Sequence, residues 1–184
     1  MSRFIVVRHA ETEWSRNKWF QGRADSGLTE RGLKQAERAA GILAGHPVTA
    51  IASSPLTCAW QTAEIIAGHV GMTVQVEQDL IECDFGHLEG TPVADHMAAN
   101  GLRRRQQLAG ALPDDGESWP SVRSRAMQAM ARWEEQAGPM PVLVSHDAVI
   151  QALAENLTGR WFRCAYAQPY RFASTEKGWQ IEAL

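Results

Sequence analysis

Two histidines in this chain follow apolar runs. Arg8-His9 comes directly after Phe4-Ile5-Val6-Val7, and Ser145-His146 after Val142-Leu143-Val144. Each run fits a buried strand, so each histidine is expected in a loop at a strand's C-terminal end. That is where open α/β sheets bind ligands. A neutral imidazole can attack phosphorus and carry the phosphoryl group as phosphohistidine. Such a transfer needs an in-line nucleophile, cations on the equatorial oxygens and a proton for the leaving oxygen. His9 with Arg8 suits the first two needs, and His146 can clamp phosphoryl oxygens as an imidazolium or hydrogen-bond donor. The proton donor must be a carboxylic acid whose pKa is raised by burial or a nearby anion. The segment Leu80-Ile81-Glu82-Cys83-Asp84-Phe85-Gly86 carries two carboxylates, Glu82 and Asp84, and spacing alone assigns that role to neither.

The elements that must position these groups alternate along the chain, which favours a layered α/β fold. After the first strand comes a polar loop through Gly27. Thr29 is a plausible N-cap for a helix with Leu33, Ala36, Ala40 and Leu43 at helical spacing. Val48 to Ala52 reads as a second strand, Leu56 to Val70 as a helix closed by Gly71, and Met72 to Val76 as a third strand. Asp79 to Gly90 looks irregular. Val93 to Leu112 is expected to be helical, broken near Gly101 and Gly110, as a small cap within roughly 91–116. Ser121 to Ala137 reads as a long helix, Val142 to Val144 as a core strand and Ala148 to Leu157 as a helix ending at Gly159. The tail suggests a short hairpin around Lys177-Gly178. No internal repeat is visible.

Taken in order, the motifs resemble the histidine phosphatase superfamily, the phosphoglycerate-mutase-like proteins with a histidine nucleophile. The matching segments are Arg8-His9-Ala10-Glu11-Thr12, Trp14 with Gln21-Gly22 and Asp25, Leu28-Thr29-Glu30-x-Gly32-x-x-Gln35-Ala36, Ser53 to Ala63, Leu80 to Gly90, Gly116-Glu117-Ser118 and Ser145-His146. The resemblance implies one domain over 1–184, a three-layer α/β/α sandwich with a mostly parallel central sheet, and no cofactor. It implies His9 as nucleophile, Arg8 and His146 as phosphoryl stabilisers, and Glu82 as acid and then base. It also implies phosphate-binding roles at Ser15, Gln21, Gly22 and Cys58.

Three positions depart from the family pattern. Ser15 stands where an asparagine is usual and offers a shorter reach. Asp147 stands where a glycine is usual; it can cap the following helix or repel phosphate. Cys58 stands where the family carries a second phosphate-binding arginine. A guanidinium gives a bidentate, permanently charged grip, and a thiol gives neither. The basic run Arg103-Arg104-Arg105 is the obvious alternative supply of a cation, or else a solvated helix face. Cysteine phosphatases place an arginine six residues after the nucleophile. Here Glu64, Glu89 and Tyr170 hold those positions after Cys58, Cys83 and Cys164, so a thiol mechanism is not expected.

Bulk properties bound the partners. A 184-residue chain suffices for one well-buried domain. The net charge of −3 gives no global basic field for nucleic acid. No apolar stretch approaches the roughly 20 residues that span a bilayer. No signal-peptide h-region opens the chain. Three widely spaced cysteines form neither a metal pair nor a disulfide framework, which suits a reducing cytoplasm. His46, His69, His87 and His96 show no ligand spacing, so no metal is expected. Trp14, Trp19 and Trp60 lie in site segments and can stack on an organic group.

The function expected first is a phosphomonoesterase acting on a small phosphorylated metabolite. The alternatives are a degenerate relative that binds a phosphorylated ligand or protein, and a phosphoglycerate-type mutase. Family mutases are generally longer, with larger insertions than Gly90 to Gly116.

Overall fold

The computed structural model describes residues 3–184. In chain order the elements are β1 (Arg3–Arg8), α1 (Glu13–Arg16), α2 (Glu30–Leu43), β2 (Ala50–Ser53), α3 (Thr57–Val70), β3 (Val74–Val76), α4 (Val93–Ala99), α5 (Trp119–Gln136), β4 (Pro141–Ser145), α6 (Asp147–Thr158), β5 (Pro169–Thr175) and β6 (Gly178–Ala183). The six strands form one sheet in the order β3-β2-β4-β1-β5-β6. The β3-β2-β4-β1 portion is parallel, and β5 and β6 add an antiparallel edge.

Alternation along the buried strands divides the core in two. Phe4, Val6, Ala52 and Leu143 pack with Val122, Ala126, Met130 and Trp133 of α5 and Ile150 and Leu153 of α6. Ile5, Val7, Ile51, Val142 and Val144 face the other way, onto Ala36, Ala40 and Leu43 of α2 and Ala59, Ala63 and Ile66 of α3. The layers are therefore helix, sheet, helix. Phe4 stacks on Phe172 of β5 with ring centroids 5.1 Å apart, which ties the antiparallel edge to the first core.

The long elements follow the sequence expectations. Thr29 caps α2 by accepting the Gly32 N–H, while Gly71 and Gly159 close α3 and α6 in the left-handed conformation. The tail hairpin is β5 and β6. Two local differences have clear causes. The polar loop after β1 contains a short helix, α1, because Thr12 and Ser15 form a reciprocal capping box. The region after Gly90 holds one helix, α4, and then a 3₁₀ turn at Arg105–Gly110. Between them Gly101 adopts φ +63°, a conformation that does not continue a helix. Val93, Phe20 and Leu88 make a third, small cluster with Phe85, Met97 and Leu108, packing this region on the cleft wall.

Candidate active site

β1 and β4 are adjacent and parallel, with Arg8 opposite Ser145. Their ends therefore deliver His9 and His146 side by side, with ring centroids 5.1 Å apart. The loop after β1 is pinned from both helices of one layer. Ala10 N–H donates to Thr62 Oγ1 at 3.0 Å, and Glu11 N–H donates to Gln35 Oε1 at 2.9 Å. Gly32 lets α2 approach this loop: a Cβ there would lie 2.2 Å from the Glu11 carbonyl oxygen. The glycine and glutamine of the Leu28 to Ala36 motif thus hold the His9 loop in place.

His9 is almost fully buried. Its Nδ1 lies 2.8 Å from the Ala10 carbonyl oxygen, so Nδ1 carries the proton and Nε2 keeps its lone pair. Burial, reinforced by Arg8, lowers its pKa to about 3, so it is neutral near pH 7. His146 is the N-cap residue of α6, and its Nε2 sits 2.7 Å from Ser54 Oγ. A hydroxyl that accepts the Leu56 N–H at 3.3 Å can give its proton to His146 Nε2. In this assignment His146 Nδ1–H is the donor available to a ligand. Burial, then His9, Arg8 and Arg125, hold His146 well below the usual imidazole pKa. Of the two expected forms, the neutral donor is the one favoured.

Burial opposes the charge on Arg8, but acidic neighbours, Asp147 foremost, raise its pKa and keep it cationic. The guanidinium lies 4.1 Å from the Tyr166 ring centroid and 3.3 Å from Asp147 Oδ1. Its Nε is buried without a hydrogen-bond partner. An orphaned buried donor is costly, and an anion in the cleft would satisfy it.

Glu82 is also buried. Its Oε1 accepts the Cys83 N–H at 2.8 Å, and its Oε2 lies 3.5 Å from Ala148 N at the start of α6. Burial raises its pKa to about 7, with Asp147 adding to the rise and the Cys83 N–H opposing it. The Glu82 loop is braced by Arg125. That guanidinium donates to the Asp79 and Ile81 carbonyls and forms a bidentate pair with Glu117. This gives Glu117 of the Gly116-Glu117-Ser118 motif a positioning task. Asp84 accepts the Gly86 N–H at 2.9 Å and pairs with Arg23 at 3.5 Å. Glu82 lines the cleft and Asp84 does not.

The other expected positions divide. Gln21 lines the cleft; its Oε1 accepts from Thr12 Oγ1 at 2.7 Å and its Nε2 donates to Cys58 Sγ at 3.6 Å. Gly22 is also on the cleft, at φ +54°, where a Cβ would collide with the Glu89 carboxylate. Ser15 borders the cleft, but its hydroxyl donates to Thr12 O at 3.1 Å and accepts the Thr12 N–H at 2.9 Å. It is engaged in the α1 cap. Cys58 is wholly buried in the first turn of α3, and burial pushes its thiol up to about 12. Its sulfur lies with ring nitrogens of His9 and His146, all three atoms within 4.8 Å of one another. No spacing argument joins positions 9, 58 and 146, which only the fold brings together.

Arg105 lines the cleft, while Arg103 and Arg104 do not. Trp19 lines it, with Trp14 packed edge-on behind, and Trp60 does not. Tyr166, Trp119 and Trp161 complete an aromatic wall that the motifs did not indicate. Asp147 turns toward Arg8 and also accepts from Cys164 Sγ at 3.1 Å. No described helix is long and apolar enough to cross a membrane.

The family model for the histidine phosphatase superfamily (branch 1) matches residues 4–184. A probable phosphoglycerate mutase, GpmB, of Yersinia pestis is 35% identical over 164 residues, covering 86% of this chain and 76% of the relative. Among solved structures, the mycobacterial glucosyl-3-phosphoglycerate phosphatase in complex with VO3 superimposes with a TM-score of 0.87 at 25% identity, over 100% of this chain and 98% of that one. The phosphoserine phosphatase of Entamoeba histolytica, in complex with phosphoserine, gives 0.81 at 26% identity, over 98% and 95%.

Proposed function

We propose that this chain, which belongs to the histidine phosphatase superfamily, hydrolyses small organic phosphate monoesters through a phosphohistidine on His9. The observation that carries the reading is that Arg8, His9 and Glu82 line one cleft, with the His9 ring held by the Ala10 carbonyl. His9 keeps a free Nε2 lone pair while, across the same cleft, Glu82 still holds a proton near neutrality. Two groups pushed to opposite proton states are a nucleophile and an acid.

In the first step His9 Nε2 forms a bond to phosphorus and the P–O ester bond breaks. The Glu82 proton passes to the departing alkoxide. Arg8 and His146 Nδ1–H contact the phosphoryl oxygens. In the second step water attacks phosphorus, Glu82 takes the water's proton, and the P–N bond breaks to release phosphate and neutral His9. The aromatic wall of Trp19, Phe20, Phe85, Trp119, Trp161 and Tyr166 favours an apolar or aromatic group on the ester. A cytoplasmic location suits this chemistry and the three free cysteines.

Lys18 and Arg105 on the same cleft favour a second reading, a mutase whose substrate carries another anionic group. One panel separates the readings: phosphoglycerate and several aryl and alkyl phosphates, assayed with chelator for phosphate release and for isomer formation. Release without isomer formation supports the phosphatase. Tight phosphate or vanadate binding with no turnover on any ester points instead to a degenerate binding protein.

Asp147 yields a smaller prediction. Asp147→Gly removes the carboxylate that competes for Arg8, so the inhibition constant of inorganic phosphate should fall by about two- to tenfold. Asp147 also helps to keep Glu82 protonated. The alkaline limb of the activity profile should therefore move to lower pH in the same variant. An unchanged phosphate constant would mean that Asp147 does not oppose the anion.

A further inference from the structure

We infer that His9, Cys58 and His146 form a binding site for a borderline or soft divalent cation, Zn²⁺ foremost, and that its occupation shuts the active site. The thiol at position 58 has no task in the phosphoryl chemistry. It is nevertheless gathered with two imidazole nitrogens from the ends of different strands, the three atoms within 4.8 Å of one another. Two imidazoles and a thiolate are a donor set that zinc accepts.

The surroundings of the trio also suit a metal. In zinc sites, a ligating histidine typically has its second ring nitrogen held by an oxygen that fixes the ring. Here the Ala10 carbonyl holds His9 Nδ1 and the Ser54 hydroxyl holds His146 Nε2. His9 thus presents Nε2 directly. His146 presents Nδ1 once its proton moves to Nε2, which the Ser54 oxygen can then accept. With metal–nitrogen bonds of about 2.0 Å and metal–sulfur bonds of about 2.3 Å, tetrahedral ligand atoms lie roughly 3.3–3.7 Å apart. The three atoms, now within 4.8 Å of one another, must draw together to that spacing when the metal binds.

The charges nearby are mixed. Arg8 and Arg125 act on the imidazoles, Glu82 and Asp25 act on the thiol, and Arg8 is itself paired with Asp147. An arginine at position 58 would repel a cation; the cysteine supplies a ligand instead. Binding replaces the Cys58 S–H bond with an S–metal bond and releases one proton to solvent. No electron is transferred. Three protein ligands leave a fourth position for water or a phosphate oxygen. Because the metal takes the His9 Nε2 lone pair, attack on phosphorus stops.

The decisive probe is Co²⁺ on the full-length protein. Wild type should take up one equivalent, with a near-ultraviolet sulfur-to-cobalt charge-transfer band and the intense visible bands of tetrahedral cobalt. Cys58→Ser and Cys58→Ala, checked for folding by circular dichroism, should lose the charge-transfer band and weaken Zn²⁺ binding by at least the roughly 10–100-fold that loss of an outer-shell partner costs. Cys83→Ser should keep both. Zn²⁺ should suppress hydrolysis of any ester that wild type turns over, and chelator should restore it. The cobalt and zinc binding arms do not rely on turnover, so they stand or fall apart from the phosphatase reading. Absence of the band in wild type, equal affinity in the position-58 variants, or full activity of the zinc-loaded protein would overturn the proposal.

Discussion

His9→Ala is expected to reduce hydrolysis of every phosphate ester by roughly 10⁴-fold or more, the scale on which loss of a nucleophile acts. The size follows from geometry. His9 offers a free Nε2 in the cleft, and its ring is fixed by Ala10 and by the pinned β1 loop. His146 is not expected to substitute, because Ser54 Oγ, 2.7 Å away, engages its Nε2. Water could attack directly in the variant, but it would lack both the orientation and the covalent intermediate. Two measurements check the claim. Rapid quench of wild type with a ³²P-labelled ester should give label that is acid-labile and base-stable, mapping to His9. His9→Gly should regain part of its turnover on addition of imidazole, since the space left by the ring lies on the cleft. Wild-type rates in His9→Ala would remove His9 from the mechanism altogether.

The parts of this site legible in sequence are those created by local pattern. Apolar runs ending at Arg8-His9 and Ser145-His146 marked two strand ends, and adjacency of β1 and β4 made them one site. Gly32 and Gln35 belonged to a recognisable helix start, although their work, holding the Glu11 backbone, needed coordinates to see. What stayed hidden depends on long-range packing. Tyr166 comes to Arg8 through an isolated bridge from an irregular stretch, Trp161 reaches the cleft from a segment with no site motif, and Trp119 does so from just beyond Gly116-Glu117-Ser118. The Thr12-x-x-Ser15 spacing is that of a capping box, and this engagement takes the Ser15 hydroxyl that the resemblance assigns to phosphate. Cys58 was visible as an absent arginine; its approach to two imidazoles was not, since sequence separation says nothing about which strand ends meet.

Glu82→Gln tests the other half of the mechanism, and its outcome should depend on the leaving group. For an alkyl phosphate the departing alkoxide needs a proton, and loss of the acid should lower the rate of cleavage by about 10²–10⁴-fold. A p-nitrophenyl ester releases a stable anion without help, so phosphorylation of His9 should survive much better. The second step still lacks its base. The variant should then release about one equivalent of p-nitrophenolate in a burst, followed by slow turnover, and phosphohistidine should accumulate. In wild type, kcat/KM should fall as pH rises through about 7, where Glu82 gives up its proton, and the variant should lack that limb. The substitution should raise stability although it lowers activity. A carboxyl at about 4.5 in the unfolded chain and about 7 in the folded protein contributes stability that is full below about pH 4.5 and is lost progressively as pH rises from there to about 7. The neutral glutamine keeps an acceptor for the Cys83 N–H without the cost of ionising a buried carboxyl. At pH 8 the variant should therefore be more stable than wild type by up to about 3 kcal/mol, read from urea unfolding, and equal to it near pH 4. If Asp84→Asn produced the burst instead and Glu82→Gln did not, the proton would travel through Asp84. The buried acid would then be a structural group rather than a catalytic one.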